Sequence, residues 1–287
     1  MHLRVVYSTM LESVRSVALT IAGSDPSGGA GIQADLKTFH QFGVYGEAVI
    51  TLLTVQNTRR VSRVAIMDAA LVLEQLEAVL EDIPPGAAKT GALGNAEIVE
   101  AVAGAADSFR FPLVVDPVMI SKHGTPLIAE EAVAALRERL LPQATLVTPN
   151  LPEAVALSGV EIDGLAAAHE AAKRILTLGA RAVLIKGGHF SGEDSTDLLV
   201  TAGESRTYSA QRVETRHTHG TGCTYSAAIT AGLALGLELA QVVARAKTYV
   251  TAAILTNPGL GGGCGPVNHH AVVDSSRVSS TIAEHRS

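Results

Sequence analysis

Short, uninterrupted apolar runs alternate along this chain with longer amphipathic runs, and this alternation limits the possible folds more than any other feature. Such apolar runs are typical of strands buried on both faces, as in a mostly parallel sheet. The longer runs carry apolar residues every three or four positions, which predicts helices packed on that sheet. We therefore predict an α/β fold, a three-layer α/β/α sandwich with a mostly parallel central sheet. The predicted strands are residues 17–22, 48–55, 87–90, 113–116, 146–148, 183–186 and 198–200, the predicted helices are 31–42, 68–82, 96–106, 130–141, 165–178, 221–237 and 239–256, and residues 57–60 are a predicted polar loop.

Composition and charge narrow the class of protein. We expect residues 1–15 of the 287 to be a short mobile leader and residues 16–287 to form a single domain, because no linker or repeat interrupts the alternation. A net charge of −6 and 3% aromatic residues argue against nucleic-acid binding, which needs a basic surface and stacking rings. The longest apolar stretch, residues 225–237, is too short to span a bilayer, so we expect no membrane partner. The two cysteines, Cys223 and Cys264, are too few for a disulfide framework and favour the reducing cytoplasm.

Polar or glycine residues follow almost every predicted strand. Ligands of such sheets bind beyond the carboxyl ends of the strands, so these residues are expected to converge on one crevice. They are Gly23 to Asp25, Gln56 and Asn57, Gly91, Asp116 and Pro117, Pro149 and Asn150, and Lys186 to Gly188.

The strongest local motif is HGTGCTYSAAITAGLALG, residues 219–236. Gly220 and Gly222 allow consecutive backbone N–H groups to point at one anion, and the helix that follows adds positive potential at its N-terminus. The same field is expected to lower the pKa of Cys223 below the free value of about 8.5. A glycine-rich turn beside a small buried cysteine is the alternative. A nucleophilic pair of Cys223 and His219, as in thiol hydrolases, is a further hypothesis that the spacing leaves open.

A second glycine-rich loop, AGSDPSGGAGIQADLKTF at residues 22–39, also joins a strand to a helix. It has neither the GxGxxG pattern of dinucleotide sites nor the GK[ST] of a Walker loop. Asp35, in the following helix, is a candidate crevice residue, and an ordinary solvated carboxylate is the alternative.

Three further positions favour phosphoryl transfer. Lys186 ends an apolar strand, where a lysine is costly unless it meets an anion. Asp116, Asn150 and Glu153 offer oxygen atoms for a hydrated Mg²⁺, which touches few protein oxygens. The alternative for the segment TPNLPE is a strand–turn–helix with Glu153 as a helix N-terminal charge. An anion-binding turn, a strand-end lysine and a magnesium site together are typical of phosphoryl transfer, which depends on positioning and charge neutralisation.

The chain resembles the bacterial hydroxymethylpyrimidine/phosphomethylpyrimidine kinases of thiamine biosynthesis, which have the ribokinase-like fold. The resemblance runs from about residue 17 to residue 270, nearly the whole chain. It is carried by LTIAGSDPSGGAGIQADLKTF, VQNT, LVVDPVM, LVTPNLPEA, LIKGGH, THGTGCTYSAAI and GPVNH, in this order.

The resemblance implies phosphorylation of 4-amino-5-hydroxymethyl-2-methylpyrimidine, and then of its monophosphate, by ATP with Mg²⁺. It implies Cys223 as the base and the N–H groups of Gly220, Thr221, Gly222 and Cys223 as the anion hole for the transferring phosphoryl group. Lys186, Thr221, Gly222 and Asn150 are then expected to contact the nucleotide, and Asp116 and Glu153 the metal. The substrate pocket is expected to contain Gly23, Ala30, Asp35, Gln56, Ala92 and Asp116, with the Gln56 carboxamide reading the aminopyrimidine. We also expect a homodimer.

Two departures from the family pattern bear on specificity. Ala92 stands where the family usually has a methionine, which enlarges the pyrimidine pocket and leaves pyridoxal or pyridoxine kinase activity as an alternative. Cys264 and His270 replace the usual His and Phe, which predicts altered contacts on the adenine side. A non-catalytic sensor of a phosphorylated metabolite is the remaining alternative. The polar segment at residues 190–197 is the best candidate for a lid, because a segment of this composition is expected to be flexible.

Overall fold

The computed structural model describes residues 16–119, 128–187 and 193–273; the predicted leader, residues 1–15, lies outside these ranges. Nine strands in the described part form one sheet with the order β3-β2-β1-β4-β5-β6-β7-β8-β9. The strands are β1 (Val17–Ser24), β2 (Tyr45–Asn57), β3 (Arg60–Ile66), β4 (Ala87–Thr90), β5 (Leu113–Val115), β6 (Leu146–Val147), β7 (Ala182–Ile185), β8 (Asp194–Thr201) and β9 (Ser205–Gln211).

The six central strands, which are β2, β1, β4, β5, β6 and β7 in sheet order, are parallel, and this confirms the predicted sheet type. β1 lies between β2 and β4, so that Ala18 pairs with Gly46 on one side and with Ala87 on the other. β3, β8 and β9 are antiparallel and extend the sheet at its two edges. The parallel strands therefore direct their carboxyl ends to one edge of the sheet, where the site lies.

Helices cover both faces of the sheet and complete three layers. One face carries α2 (Ala69–Asp82), α3 (Ala96–Ala106), α4 (Glu130–Ala135), α5 (Leu151–Ser158) and α6 (Leu165–Leu176), and the other carries α1 (Gly31–Gln41), α7 (Thr221–Ala234) and α8 (Leu239–Leu255). In β5, Leu113 and Val115 pack towards the first face and Val114 towards the second. Strand residues alternate in this way because successive side chains point to opposite faces, and both faces here are apolar.

Side-chain caps begin several of these helices. Asp68 accepts a hydrogen bond from the Ala70 N–H (2.8 Å) at the start of α2. Asn150 and Glu153 form a reciprocal capping box at α5. This arrangement is the strand–turn–helix alternative given for TPNLPE. Both caps satisfy backbone N–H groups that the first turn of a helix leaves without a partner.

Three predictions of local structure are wrong. Arg60 begins β3 instead of ending a loop, and β9 was absent from the predicted strands. Both strands lie at the sheet edges and carry polar residues among the apolar ones, so they lack a continuous apolar run. The predicted helix 130–141 is α-helical only to Ala135, continues as a π-helical segment (Leu136–Leu140), and ends in a short 3₁₀ turn (Leu141–Gln143).

We expect Leu76→Ala in α2 to lower the free energy of unfolding by ~2–5 kcal/mol, because this leucine is only 1% exposed and its removal leaves a cavity under the helix. Leu71→Ala in the same helix is the matched control: Leu71 is 46% exposed, and its change should stay within about 0.5 kcal/mol. Urea unfolding of both variants measures the difference, and equal losses would contradict the assignment of the buried face.

Candidate active site

A cavity of about 700 Å³ lies at the carboxyl edge of the parallel strands. Many of the polar and glycine residues that follow the strands meet in its wall, although they come from distant parts of the chain: Gly23 to Asp25, Gln56, Gly91, Asp116, Asn150 and Lys186. The wall does not contain Asn57, Pro117, Pro149 or Gly187, and Gly188 lies outside the described residues. The predicted site residues that line it are Gly23, Ala30, Gln56, Ala92, Asp116, Asn150, Glu153, Lys186, Gly220, Thr221, Gly222 and Cys223. The structure thus brings together all the predicted site residues except Asp35, which lies behind the wall.

Two glycine loops, the first at residues 23–31 and the second at residues 219–223, form adjoining parts of this wall. Gly220 has the left-handed φ of +80° and caps α7. A side chain there would overlap the Gly29 carbonyl, and one at Gly31 (φ +56°) would overlap the Gly23 carbonyl. Glycine is therefore required by both the backbone conformation and the close approach of the two loops.

Asp25 and His219 join the two glycine loops. The Asp25 carboxylate accepts from His219 Nε2 (2.8 Å) and from the backbone N–H groups of Ser27, Gly29 and Ala30 (2.8, 3.2 and 2.9 Å). Burial alone would raise the pKa of Asp25, but the hydrogen bonds from His219 and Ser27 outweigh it and lower the pKa to about 2. Because Asp25 is ionised and can only accept, Nε2 must be the protonated nitrogen of His219.

Cys223 lies half-buried in the first turn of α7. We expected the N-terminus of the helix to lower the pKa of this thiol, and that prediction is wrong. Burial raises the pKa to about 12, and the negative charge of Asp35 adds to the increase, whereas Lys89 opposes it. Loss of hydration disfavours a thiolate more than the helix favours it, so Cys223 is a thiol at neutral pH.

Lys186 and Asp116 form an ion pair at the ends of β7 and β5, with 2.9 Å between Nζ and Oδ1. Asp116 also accepts from Thr148 Oγ1 (3.2 Å) and from Ser226 Oγ (3.0 Å). Burial would raise the pKa of Asp116, but Lys186 and Lys89 lower it below its ordinary value. The pair therefore keeps both charges beside the second glycine loop.

Glu153 lines the cavity next to this pair and also caps α5. Its Oε2 accepts from the Asn150 N–H (2.8 Å), and the Asn150 side chain accepts in return from the Glu153 N–H (2.9 Å). Burial raises the pKa of Glu153 to about 7; Lys186 opposes this rise and Asp116 reinforces it. One residue thus combines the capping role and a place in the cavity wall, which the sequence presented as alternatives.

Asp35 is fully buried and forms an ion pair with Lys89, 2.8 Å between Oδ2 and Nζ. The same oxygen accepts from Thr20 Oγ1 (2.7 Å), whereas Oδ1 has no hydrogen-bond partner among the described residues. Lys89 is a residue of the cavity wall that the sequence interpretation missed, although a lysine inside the buried strand AAKT is itself a signal.

A third buried pair, Lys247 with Asp197, was also missed (2.8 Å between Nζ and Oδ2). Asp197 accepts in addition from the Tyr225 hydroxyl (2.9 Å) and from the Gly187 N–H (2.9 Å), and both charged residues line the cavity. Asp197 is the last residue of the predicted lid, but it lies in β8; residues 190–192 of that segment are outside the described ranges. For Asp197 the sequence signal was a charged residue directly before the apolar run LLV, and for Lys247 it was a charged residue in a largely apolar helix.

The donor atoms around Asp116 and Glu153 fit Mg²⁺ better than a softer metal. Both side chains are buried carboxylates in the cavity wall. In the described part of the chain no three His, Cys, Asp or Glu side chains form a metal cage. Mg²⁺ is commonly held by one or two carboxylates together with water and substrate phosphates, so such a cage is not required.

The described helices include none that is both long and apolar enough to cross a membrane.

Comparison with solved structures identifies the class of protein. The crystal structure of an ADP complex of Bacillus subtilis pyridoxal kinase superposes with a TM-score of 0.82 at 40% sequence identity, over 89% of this chain and 98% of that chain. The layered fold with its strand-end cavity is therefore that of a ribokinase-like kinase, as the resemblance implied.

The particular family follows from the sequence. The family model described as phosphomethylpyrimidine kinase matches residues 25–268, and the chain belongs to this family. The hydroxymethylpyrimidine/phosphomethylpyrimidine kinase of Streptomyces coelicolor is 47% identical over 253 residues, 88% of this chain and 94% of that protein. The thiamine biosynthesis bifunctional protein ThiED of Geobacter sulfurreducens is 50% identical over 256 residues; the match covers 89% of this chain but 52% of that protein, so the chain spans about half its length.

We expect Asp25→Asn to flatten the loss of stability in acid. A carboxylate with a lowered pKa stabilises the fold above its unfolded pKa of 3.8, and this contribution disappears as the pH falls towards 2. From pH 5 to pH 2 the variant should therefore lose about 2 kcal/mol less free energy of unfolding than the unmodified protein. Asp68→Asn, at an exposed helix cap, is the control and should follow the unmodified protein; a parallel acid profile for Asp25→Asn would refute the assignment.

Proposed function

We propose that this kinase transfers the γ-phosphoryl group of ATP to the hydroxymethyl group of 4-amino-5-hydroxymethyl-2-methylpyrimidine, and then phosphorylates the resulting monophosphate. The observation that carries the proposal is the cavity whose wall contains the second glycine loop, Lys186 and the Gln56 carboxamide. The kinase names of the relatives that match nearly the full chain support the same reaction.

On the acceptor side, we assign the pyrimidine to the pocket formed by the first glycine loop, Gln56 and Ala92. A carboxamide offers both a donor and an acceptor, which suits the edge of an aminopyrimidine. Gly23 and Ala30 have little or no side chain, so the ring can approach the backbone closely. Asp35 would act from behind the wall, through its fixed charge beside Lys89.

On the nucleotide side, we assign the transferring phosphoryl group to the N–H groups of residues 220–223 at the N-terminus of α7. Lys186 would contact the ATP phosphates from the end of β7, with Asn150 beside it. Asp116 and Glu153 would hold Mg²⁺, which neutralises phosphate charge when bound. The Bacillus subtilis pyridoxal kinase was solved as an ADP complex, which supports nucleotide binding by a protein of this fold.

Cys223 is the proposed base for the substrate hydroxyl group. Because the pKa of its thiol is about 12, this role requires that the thiol first give its proton to solvent water, after which the thiolate can accept the proton of the substrate hydroxyl group. Lys89 is the neighbouring charge that favours the thiolate. The transition state of phosphoryl transfer is loose, so the base is needed only late in the reaction, when the substrate hydroxyl group loses its proton.

Pyridoxal kinase activity is the second candidate, favoured by Ala92 and by the similarity to the Bacillus subtilis pyridoxal kinase. Ala92 lines the cavity with a small side chain, and its carbonyl accepts from Thr51 Oγ1 (2.6 Å), which fixes the backbone there. The thiol hydrolase and the non-catalytic sensor are not proposed, since the chain belongs to a family of kinases.

We expect Cys223→Ala to lower kcat for pyrimidine phosphorylation by about 10²–10⁴-fold, the usual contribution of a general base. Cys264→Ala is the matched control for kcat, because the Cys264 thiol lies outside the cavity wall and donates to the Arg216 carbonyl (3.0 Å). The adenine-side contact predicted for Cys264 would change the KM for ATP instead. A steady-state assay of ADP release measures both variants. An unchanged rate in Cys223→Ala would refute the base assignment.

A substrate panel tests the function itself. We expect the highest kcat/KM for the pyrimidine alcohol and measurable phosphorylation of its monophosphate, with pyridoxal weaker. Ala92→Met should lower kcat/KM for the larger pyridoxal by roughly 10-fold and leave the pyrimidine within about threefold, since the added side chain fills pocket space. A marked preference of the unmodified enzyme for pyridoxal would overturn the main proposal in favour of the second candidate.

A further inference from the structure

The first and second glycine loops contact each other directly. A side chain at Gly29 would lie 2.6 Å from Cδ2 of His219, and one at Gly220 would meet the Gly29 carbonyl. In the proposed reaction the first loop faces the acceptor and the second faces the transferring phosphoryl group. Their relative position therefore determines the distance between the two reacting groups.

One carboxylate collects hydrogen bonds from both loops. Asp25 is 1% exposed and accepts three N–H groups of its own loop, which holds that loop in its tight turn. It also accepts from the ring of His219, a residue 5% exposed that directly precedes Gly220. This Asp25–His219 bond is a side-chain link between residues 194 positions apart in the chain.

The backbone of His219 is held separately from its ring. Its N–H donates to the Gly265 carbonyl (3.0 Å), and its carbonyl accepts from the Val267 N–H (3.3 Å). Loss of the ring contact would therefore leave the second loop anchored to the segment after α8 and the first loop held by Asp25. The loops would remain formed but would lose the link between Asp25 and His219, leaving the hydrogen bond of the Gly31 backbone to the Cys223 thiol.

We infer that Asp25 and His219 are positioning residues that align the acceptor with the phosphoryl group by linking the two glycine loops. The inference rests on the proposed function. Neither residue needs to touch the reacting atoms, because a displacement of about 1 Å between reacting groups can cost about 100-fold in rate. The pair acts on the alignment of the two substrates and has little effect on the binding of either one.

Two substitutions of His219 separate this role from a purely structural one. His219→Leu removes the donor to Asp25, whereas His219→Gln places an amide N–H near the position of Nε2. We expect kcat to fall about 100-fold in His219→Leu and to return to within about fivefold of the unmodified enzyme in His219→Gln. The affinities for the pyrimidine alone and for ADP alone, measured by calorimetry, should change by less than about threefold, as should the slow ATP hydrolysis without acceptor.

Val99→Ala in α3 controls for lost stability, because Val99 is fully buried on the opposite face of the sheet and outside the cavity wall. Its melting temperature should fall while kcat is unchanged. If His219→Leu loses melting temperature but keeps kcat within twofold, or if acceptor-free hydrolysis falls as much as transfer, the positioning role is refuted. If His219→Leu does not fold, Asp25→Asn gives the same comparison of transfer with hydrolysis.

A failure of the proposed function would look different from a failure of this inference. It would appear in the unmodified enzyme as an absence of transfer to the pyrimidine. If pyridoxal is the acceptor instead, the same ratio of transfer to hydrolysis is measured with pyridoxal, because the link between the loops does not depend on which ring is bound.

Discussion

The structure of the site depends on lysine side chains that are largely removed from water and paired with aspartates. Three Lys–Asp pairs surround one cavity, and the separation of the charged atoms is 2.8 or 2.9 Å in each: Lys89 with Asp35, Lys186 with Asp116, and Lys247 with Asp197. A buried lysine without a partner would lose its charge, whereas a lysine paired with a carboxylate keeps its charge. Removal of the carboxylate from such a pair would strongly lower the stability of the fold. The pairs therefore supply fixed charge at the strand ends of a protein whose net charge is −6.

Close backbone approach is the second requirement, and glycine meets it. Gly220 and Gly31 adopt left-handed conformations and lie against carbonyl groups of the first glycine loop. The contact at Gly220 brings the N-terminus of α7 next to the loop that follows β1, and the contact at Gly31 closes that loop on itself. Backbone N–H groups can then bind an anion locally, so an acidic protein needs no overall positive field to bind a nucleotide.

The central part of the fold could be predicted from the sequence, and its edges could not. β4 (Ala87–Thr90) and α3 (Ala96–Ala106) have the predicted bounds, because a continuous apolar run and an amphipathic period are local signals. β3 and β9 were missed because an edge strand faces solvent and carries polar residues. In the site, Lys186 was predicted because it ends an apolar strand, whereas Lys89 lies inside a short strand and was missed.

The sequence by itself determined the layered parallel fold, the family, and the set of strand-end residues that face one cavity, since each depends on short stretches of chain. Only the tertiary structure decided how those residues are paired and what charge they carry. Asp35 lies behind the wall beside Lys89, and the pKa of Cys223 rises to about 12 instead of falling. The physical reason is that burial and charge pairing depend on neighbours remote in sequence, as with Asp25 and His219, 194 residues apart.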